Sequence, residues 1–231
     1  TDKNNCLQLF YSTHDTELID KLKLQNIVLM SEGNAYSIRS EFNDEEINYL
    51  SKNPNLDLFK LFYAKKCILV EGLTEELFIR AYLDSKKELN DIEVISFHKG
   101  FKRIIDLWLK INIRSSNRLG IVRDYDDQPK AKEEHHSYND NKFICVATTE
   151  KYTLEPEIVN TEGNYEVLKE KYGEKFGWNN LSKEQLSDDW RKNKSYAMLE
   201  ICKDLSSGYL EKLKLPQHIQ KIIDFLTTGE K

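Results

Sequence analysis

Three acidic residues stand just past two apolar runs, a placement that suits capture of a hard divalent cation. Lys66-Cys67-Ile68-Leu69-Val70 leads into Glu71-Gly72, and Leu119-Gly120-Ile121-Val122 leads into Arg123-Asp124-Tyr125-Asp126-Asp127. Continuous apolar runs of this length mark strands buried on both faces of a parallel sheet. Open parallel sheets bind ligands beyond the carboxyl ends of their strands. If the two strands are neighbours, Glu71, Asp124 and Asp126 converge on one edge. Like charges held so close need a cation, and an all-oxygen donor set suits Mg²⁺ or Mn²⁺. In extended chain, residues two apart point the same way, so Asp124 and Asp126 share a side. Taken singly, each acid reads as a solvated loop residue, and Asp127 makes the second run resemble a plain acidic turn. The ordered set is more specific: buried strand, Glu-Gly, helix, buried strand, Asp-x-Asp.

These residues need a sheet to position them, and the pattern supplies one. After Glu71-Gly72, Thr74 reads as the cap of a helix over about 75–83. Ile92–Ser96 reads as a strand, and 101–111 as an amphipathic helix with Ile104, Ile105, Trp108 and Leu109 on one face. Residues 119–122 and 143–146 read as two further strands, with a polar loop over 128–141 between them. In that loop His135-His136 reads as surface, without partner ligands for a metal. Strands alternating with helices at this spacing predict a parallel sheet. Upstream, 7–12, 27–30 and 35–39 read as short strands, 16–22 as a helix, and 42–60 as a helix capped by Asn43 with Glu46 completing a capping box. Beyond about residue 160 the strand signal fades. Helices are expected at 165–172, 183–189, 194–205 and 216–226, with Pro216 in a first turn.

The bulk numbers agree with a soluble protein of one or two domains. The chain has 231 residues, 39% apolar and 32% charged, with a net charge of −5. No apolar stretch approaches the length of a membrane span, and the first residues lack the basic and apolar regions of a signal peptide. The chain opens on Thr1, so it reads as a fragment of something longer. Cys6, Cys67, Cys145 and Cys202 stand singly, which excludes zinc-ribbon and CxxC redox motifs and favours a reducing, cytoplasmic setting. The negative balance does not point at nucleic acid by itself. Two short basic runs, one holding Lys99, Lys102 and Arg103 and one holding Lys192 and Lys194, are local candidates.

Together these motifs resemble a known family. ILVEG followed by TEELFI, and IVRDYD, are similar to the two signature motifs of the TOPRIM catalytic fold. Within that fold the chain most resembles OLD-family nucleases, the Gabija-type antiphage endonucleases included. LFYSTHDTELID resembles the last strand of an ABC-type ATPase, with His14 at the γ-phosphate-sensing position. TLEPEIV resembles a further acidic motif at Glu155, with Glu157 as a rival. KNKSYAML resembles a helix carrying a catalytic lysine, best matched by Lys194 with Lys192 as a rival. The resemblance covers roughly residues 7–205.

It implies an α/β TOPRIM-type parallel sheet flanked by helices. The expected divisions are 1–60 for the end of an ATPase domain and junction, 61–162 for the TOPRIM core, and 163–231 for a helical part that completes it. It implies a divalent-metal-dependent DNA endonuclease acting in antiphage defence or DNA processing. Metal would be held by Glu71, Glu75, Asp124, Asp126 and Glu155; the family often has Asp where Glu75 stands. Mg²⁺ is expected, with Mn²⁺ as an alternative and Ca²⁺ as a structural substitute. Glu71, Asp124, Asp126 and Lys194 would carry catalysis by a two-metal route. Lys99, Lys102, Arg103, Arg123 and Lys192 would contact DNA, with Arg123 able instead to pair with a neighbouring acid. A homodimer or higher oligomer and a helicase-like partner protein are implied, and no membrane. Walker and signature motifs are absent from these residues, so ATP would act only through ATPase parts outside them, leaving His14 a remnant. Two alternatives stay open: a catalytically silent TOPRIM dimerisation or DNA-binding module, and an aspartate-nucleophile phosphatase. The second wants its Asp pair on the first strand of the domain and a Thr or Val soon after, which DYDDQ does not offer.

Overall fold

In the computed structural model, residues 9–13, 23–31, 33–52, 57–97, 100–112, 115–125, 128–150 and 153–231 are described. Expectations placed on His14, Lys99 and Asp126, and on a helix at 16–22, lie outside the described residues. The chain divides into two units, residues 1–52 and 53–231.

In the first unit, β1 (Val28–Ser31) and β2 (Asn34–Ser37) form an antiparallel hairpin. Its turn contains Gly33 at φ 78°, a left-handed conformation that favours glycine. A one-turn helix, α1 (Ile38–Glu41), follows, then α2 (Asp44–Ser51). The expected capping box closes α2: Asn43 Oδ1 accepts from the Glu46 amide at 2.9 Å, and the Asn43 amide donates to Glu46 Oε2 at 2.9 Å. Two expectations need correction. Residues 9–12, read as most of a first strand, have no regular structure. The long helix over 42–60 is broken, because α2 stops at Ser51 and α3 (Leu58–Tyr63) starts anew with the Asp57 carboxylate accepting from the Lys60 amide at 3.0 Å.

The second unit is built on a four-stranded sheet of β3 (Lys66–Val70), β4 (Ile92–Ser96), β5 (Arg118–Arg123) and β6 (Ile144–Thr148), in the order β4-β3-β5-β6. Every pairing is parallel. β3 and β5 are the central pair, in register Val70↔Val122. Their apolar character follows, since Cys67 through Val70 and Leu119 through Val122 are all buried. α4 (Leu73–Ser85) links β3 to β4, and α5 (Phe101–Asn112) links β4 to β5. The polar stretch expected as loop holds α6 (Pro129–His136) and a 3₁₀ turn (Ser137–Asp140) instead. Pro129 suits a first helical turn, where its missing N–H costs nothing.

The C-terminal helices are α7 (Leu154–Asn160), α8 (Asn164–Phe176), α9 (Lys183–Lys192), α10 (Lys194–Ser206) and α11 (Gln217–Thr228). Pro216 is the N-cap of α11 rather than part of its first turn. α10 packs along α4, and α11 lies on β5 and β6. The close approach of α11 explains a glycine inside β5: a Cβ at Gly120 would stand 2.3 Å from Ile222 Cγ2. Arg118, at the start of β5, donates to the carbonyls of Phe225 at 3.4 Å and Leu226 at 3.2 Å. That places a cation on the last turn of α11, where the helix dipole favours it. Among the described residues no helix is long and apolar enough to cross a membrane.

Candidate active site at the carboxyl ends of the central strands

Parallel pairing of β3 with β5 sets Glu71 beside Arg123, one step past the Val70↔Val122 pair. The two side chains meet. Arg123 Nη2 lies 3.0 Å and Nε 3.1 Å from the same oxygen, Glu71 Oε2. The pair is only partly buried, with 18% of the Arg123 side chain and 32% of the Glu71 side chain exposed.

Arg123 is held on its other sides as well. Its guanidinium carbon lies 4.7 Å from the centre of the Phe101 ring and 5.7 Å from that of Phe97. Nη1 is 3.0 Å from His135 Nε2. A guanidinium only donates, so Nε2 is the acceptor in this contact. The His135 ring itself stands edge-on to Phe101 at 4.4 Å. Neighbouring His136 turns elsewhere, its Nε2 3.5 Å from Thr148 Oγ1. Burial, then the nearby Lys132 and Lys221, hold His136 below the usual imidazole value. The two histidines thus face different partners.

Asp124 follows Arg123 on a fixed backbone. The Thr149 amide donates to the Arg123 carbonyl at 3.0 Å, and the Tyr125 amide donates to Thr149 Oγ1 at 2.8 Å. Thr149 is fully buried, so the chain leaving β5 is tied to the chain leaving β6 on both sides of Asp124. Asp124 itself is half-buried.

Gly72, not Thr74 as the sequence suggests, is the N-cap of α4. Glu75 therefore falls in the first turn, where the helix dipole favours a carboxylate. It is 4% exposed, and its Oε2 folds back over the cap, 2.8 Å from where a Gly72 Cβ would stand. Gly72 has an ordinary extended backbone at φ −132°, so the glycine serves space rather than conformation. The following Glu76 is structural, pairing with Arg80 at 2.8 Å.

Glu155 lies in the first turn of α7 and is fully buried, its Oε2 accepting from Thr153 Oγ1 at 2.9 Å. Its rival Glu157 instead accepts from the Glu150 amide at 2.9 Å, a loop-fixing contact. Lys102 and Arg103 begin α5 and share a cavity of about 380 Å³ with His135 and Tyr138. Lys192 is exposed at the end of α9. Lys194 opens α10, its side chain lying outside what is described.

Glu71 and Arg123 are thus brought together, with Asp124 one residue on. Among the described residues, however, no three acidic, histidine or cysteine side chains are grouped closely enough to hold a metal ion. Asp126 lies outside that set. The donors present are all carboxylate oxygens, which fits a hard divalent cation, but Glu71 is turned toward Arg123. Sequence reasoning missed the cradle of Phe97, Phe101 and His135; its only trace is the aromatic spacing in FHKGF.

No solved structure matches the chain. It is 27% identical over 158 residues to Endonuclease GajA of Bacillus cereus (strain HuB5-5), an alignment taking in 66% of this chain and 20% of that protein. The chain thus spans about a fifth of the length of that relative. Residues 62–126, which run from the end of α3 through β3, β4 and β5 to the Asp-x-Asp segment, match the TOPRIM domain of overcoming lysogenization defect protein-like proteins, so this part of the chain is similar to an OLD-like TOPRIM domain.

Proposed function

We propose that this chain carries the catalytic centre of a divalent-metal-dependent DNA endonuclease. One observation supports it above the others: Glu71 and the Arg123-Asp124 pair emerge side by side from the carboxyl ends of adjacent central strands. The name of the similar endonuclease points the same way. Glu71, Glu75, Asp124 and Asp126 would hold Mg²⁺ or Mn²⁺, with Glu155 contributing from the first turn of α7. When bound, two such ions lower the pKa of a water and neutralise charge on a phosphodiester.

The protein groups act around that centre. To hold a metal ion Glu71 would have to leave Arg123, and the freed guanidinium would be placed to pair with a DNA phosphate. The planar fork of arginine suits that contact. Phe101 and His135 keep it aimed at the rim while it changes partners. Lys102 and Arg103, with Lys99 and Lys192, follow the DNA backbone, and Lys194 steadies charge on the reacting phosphate. In the same reading, residues 1–60 are the end of an ABC-type ATPase, 61–162 the TOPRIM core, and 163–231 the helices that complete it. In this reading the protein serves antiphage defence or DNA processing as an oligomer with a helicase-like partner.

A second reading is a silent TOPRIM module, and the engagement of Glu71 by Arg123 is in its favour. Nicking of supercoiled plasmid in Mn²⁺ separates the two. D124A is expected to lose activity on the order of a hundredfold while keeping its fold by circular dichroism. Nicking by D124A at the wild-type rate overturns the catalytic reading.

A further inference from the structure

Around the start of α10 there is a cavity that the reactions above do not use. It has a volume of about 550 Å³ and is walled by Phe176, Trp178 and Tyr196, with Lys175 and Lys192 at its edge. That is within the range of small-ligand pockets, roughly 300–1,000 Å³. The rings pack on one another, Phe176 4.8 Å from Trp178 and 5.7 Å from Tyr196 centre to centre, which leaves Tyr196 as the exposed face. Trp178 is locked, since its Nε1 donates to Asp189 Oδ2 at 2.8 Å. Tyr196 is 59% exposed, a large ring held in water at the first turn of a helix.

The charge at this edge is mixed, since Asp189 also lines the cavity and, of its two lysines, only Lys192 has no acidic partner among the described residues. The Lys175 ammonium stands 5.7 Å from the Phe176 ring and 6.0 Å from the Tyr196 ring while paired with Glu200. Lys192 lines the cavity and is exposed, next to Arg191. Aromatic faces bordered by cations are what unpaired nucleic acid needs. Every base offers a π-face for stacking, and the phosphates that flank it seek positive charge. A duplex keeps its bases stacked inside and offers nothing to the rings.

We propose that this cavity receives one unpaired base of single-stranded DNA, stacked on Tyr196, with Lys192 on the adjoining phosphate. The proposal rests on the nuclease reading and names the form of DNA that the protein would hold near its ends or distortions. Tyr196 is a binding residue here and takes no part in bond cleavage.

The test is binding of a fluorescent oligothymidylate to the protein in EDTA, where no cleavage occurs. Y196A is expected to weaken binding about tenfold, the effect of one lost stack. Y196F is expected to bind as wild type, and a duplex of equal length to be bound equally by all three. K192A is expected to lower the salt dependence by about one phosphate contact. Wild-type oligonucleotide affinity in Y196A overturns the proposal, as does a change confined to oligomeric state. Failure of D124A to lose nicking overturns the nuclease reading instead and leaves these binding results standing.

Discussion

The Arg123 guanidinium and the Glu71 carboxylate meet at 3.0 Å across the ends of two neighbouring strands. A positive side chain thus stands where the proposed metal ion needs a ligand, and the two cations compete for one carboxylate. Removing Arg123 should favour the metal. A part-exposed ion pair contributes about 1 kcal/mol or less, so R123A is expected to tighten Mn²⁺ binding roughly fivefold by calorimetry. The same variant should nick plasmid more slowly, because its phosphate contact is gone. Weaker Mn²⁺ binding in R123A would assign Arg123 to the metal site's support instead.

Gly72 separates packing from conformation. Its backbone suits alanine, yet the new Cβ would meet Glu75 Oε2 at 2.8 Å. G72A is expected to fold, with a stability loss of about 1–3 kcal/mol from overpacking. Displacement of the buried Glu75 carboxylate should cost about tenfold or more in Mn²⁺ affinity. Urea midpoints and calorimetry read the two effects separately. Unchanged metal affinity would remove Glu75 from the ligand set.

His218, in the first turn of α11, reports on acid stability. Burial pushes its imidazole down to about 4, and its Nε2 has no hydrogen-bond partner among the described residues. The unfolded chain takes up a proton there below about pH 6.5 while the folded protein does not. The unfolded state then holds more protons, so stability falls as pH drops from about 6.5 toward 4, with no effect above that window. H218Q should recover about 2 kcal/mol relative to wild type between pH 7 and pH 5, measured by urea unfolding. An identical pH dependence in both proteins would contradict this.

The central strands were legible because a fully buried parallel strand leaves a continuous apolar run, as in Ile68-Leu69-Val70. The Asn43–Glu46 capping box was legible because its contacts are three residues apart. α6 was not: PKAKEEHH has almost no apolar side, so helical periodicity had nothing to act on. Its partner contact, His135 on Arg123, is a tertiary one across twelve residues. Thr74 reads as a cap on side-chain preference, whereas Gly72 is the cap and leaves room for the Glu75 carboxylate. The acids at the strand ends were visible as residues, but the engagement of Glu71 by Arg123 depends on strand register, which no single strand encodes.

Direct titration of Mn²⁺ into wild type, E71Q and D124N asks whether carboxylates 53 residues apart in the chain serve one ion. Both substitutions keep size and remove charge. Each is expected to weaken binding by about 10–100-fold, and the pair together to cost less than the sum of the two, as for ligands of one site. Wild-type Mn²⁺ affinity in either single variant would contradict a shared metal site at this sheet edge.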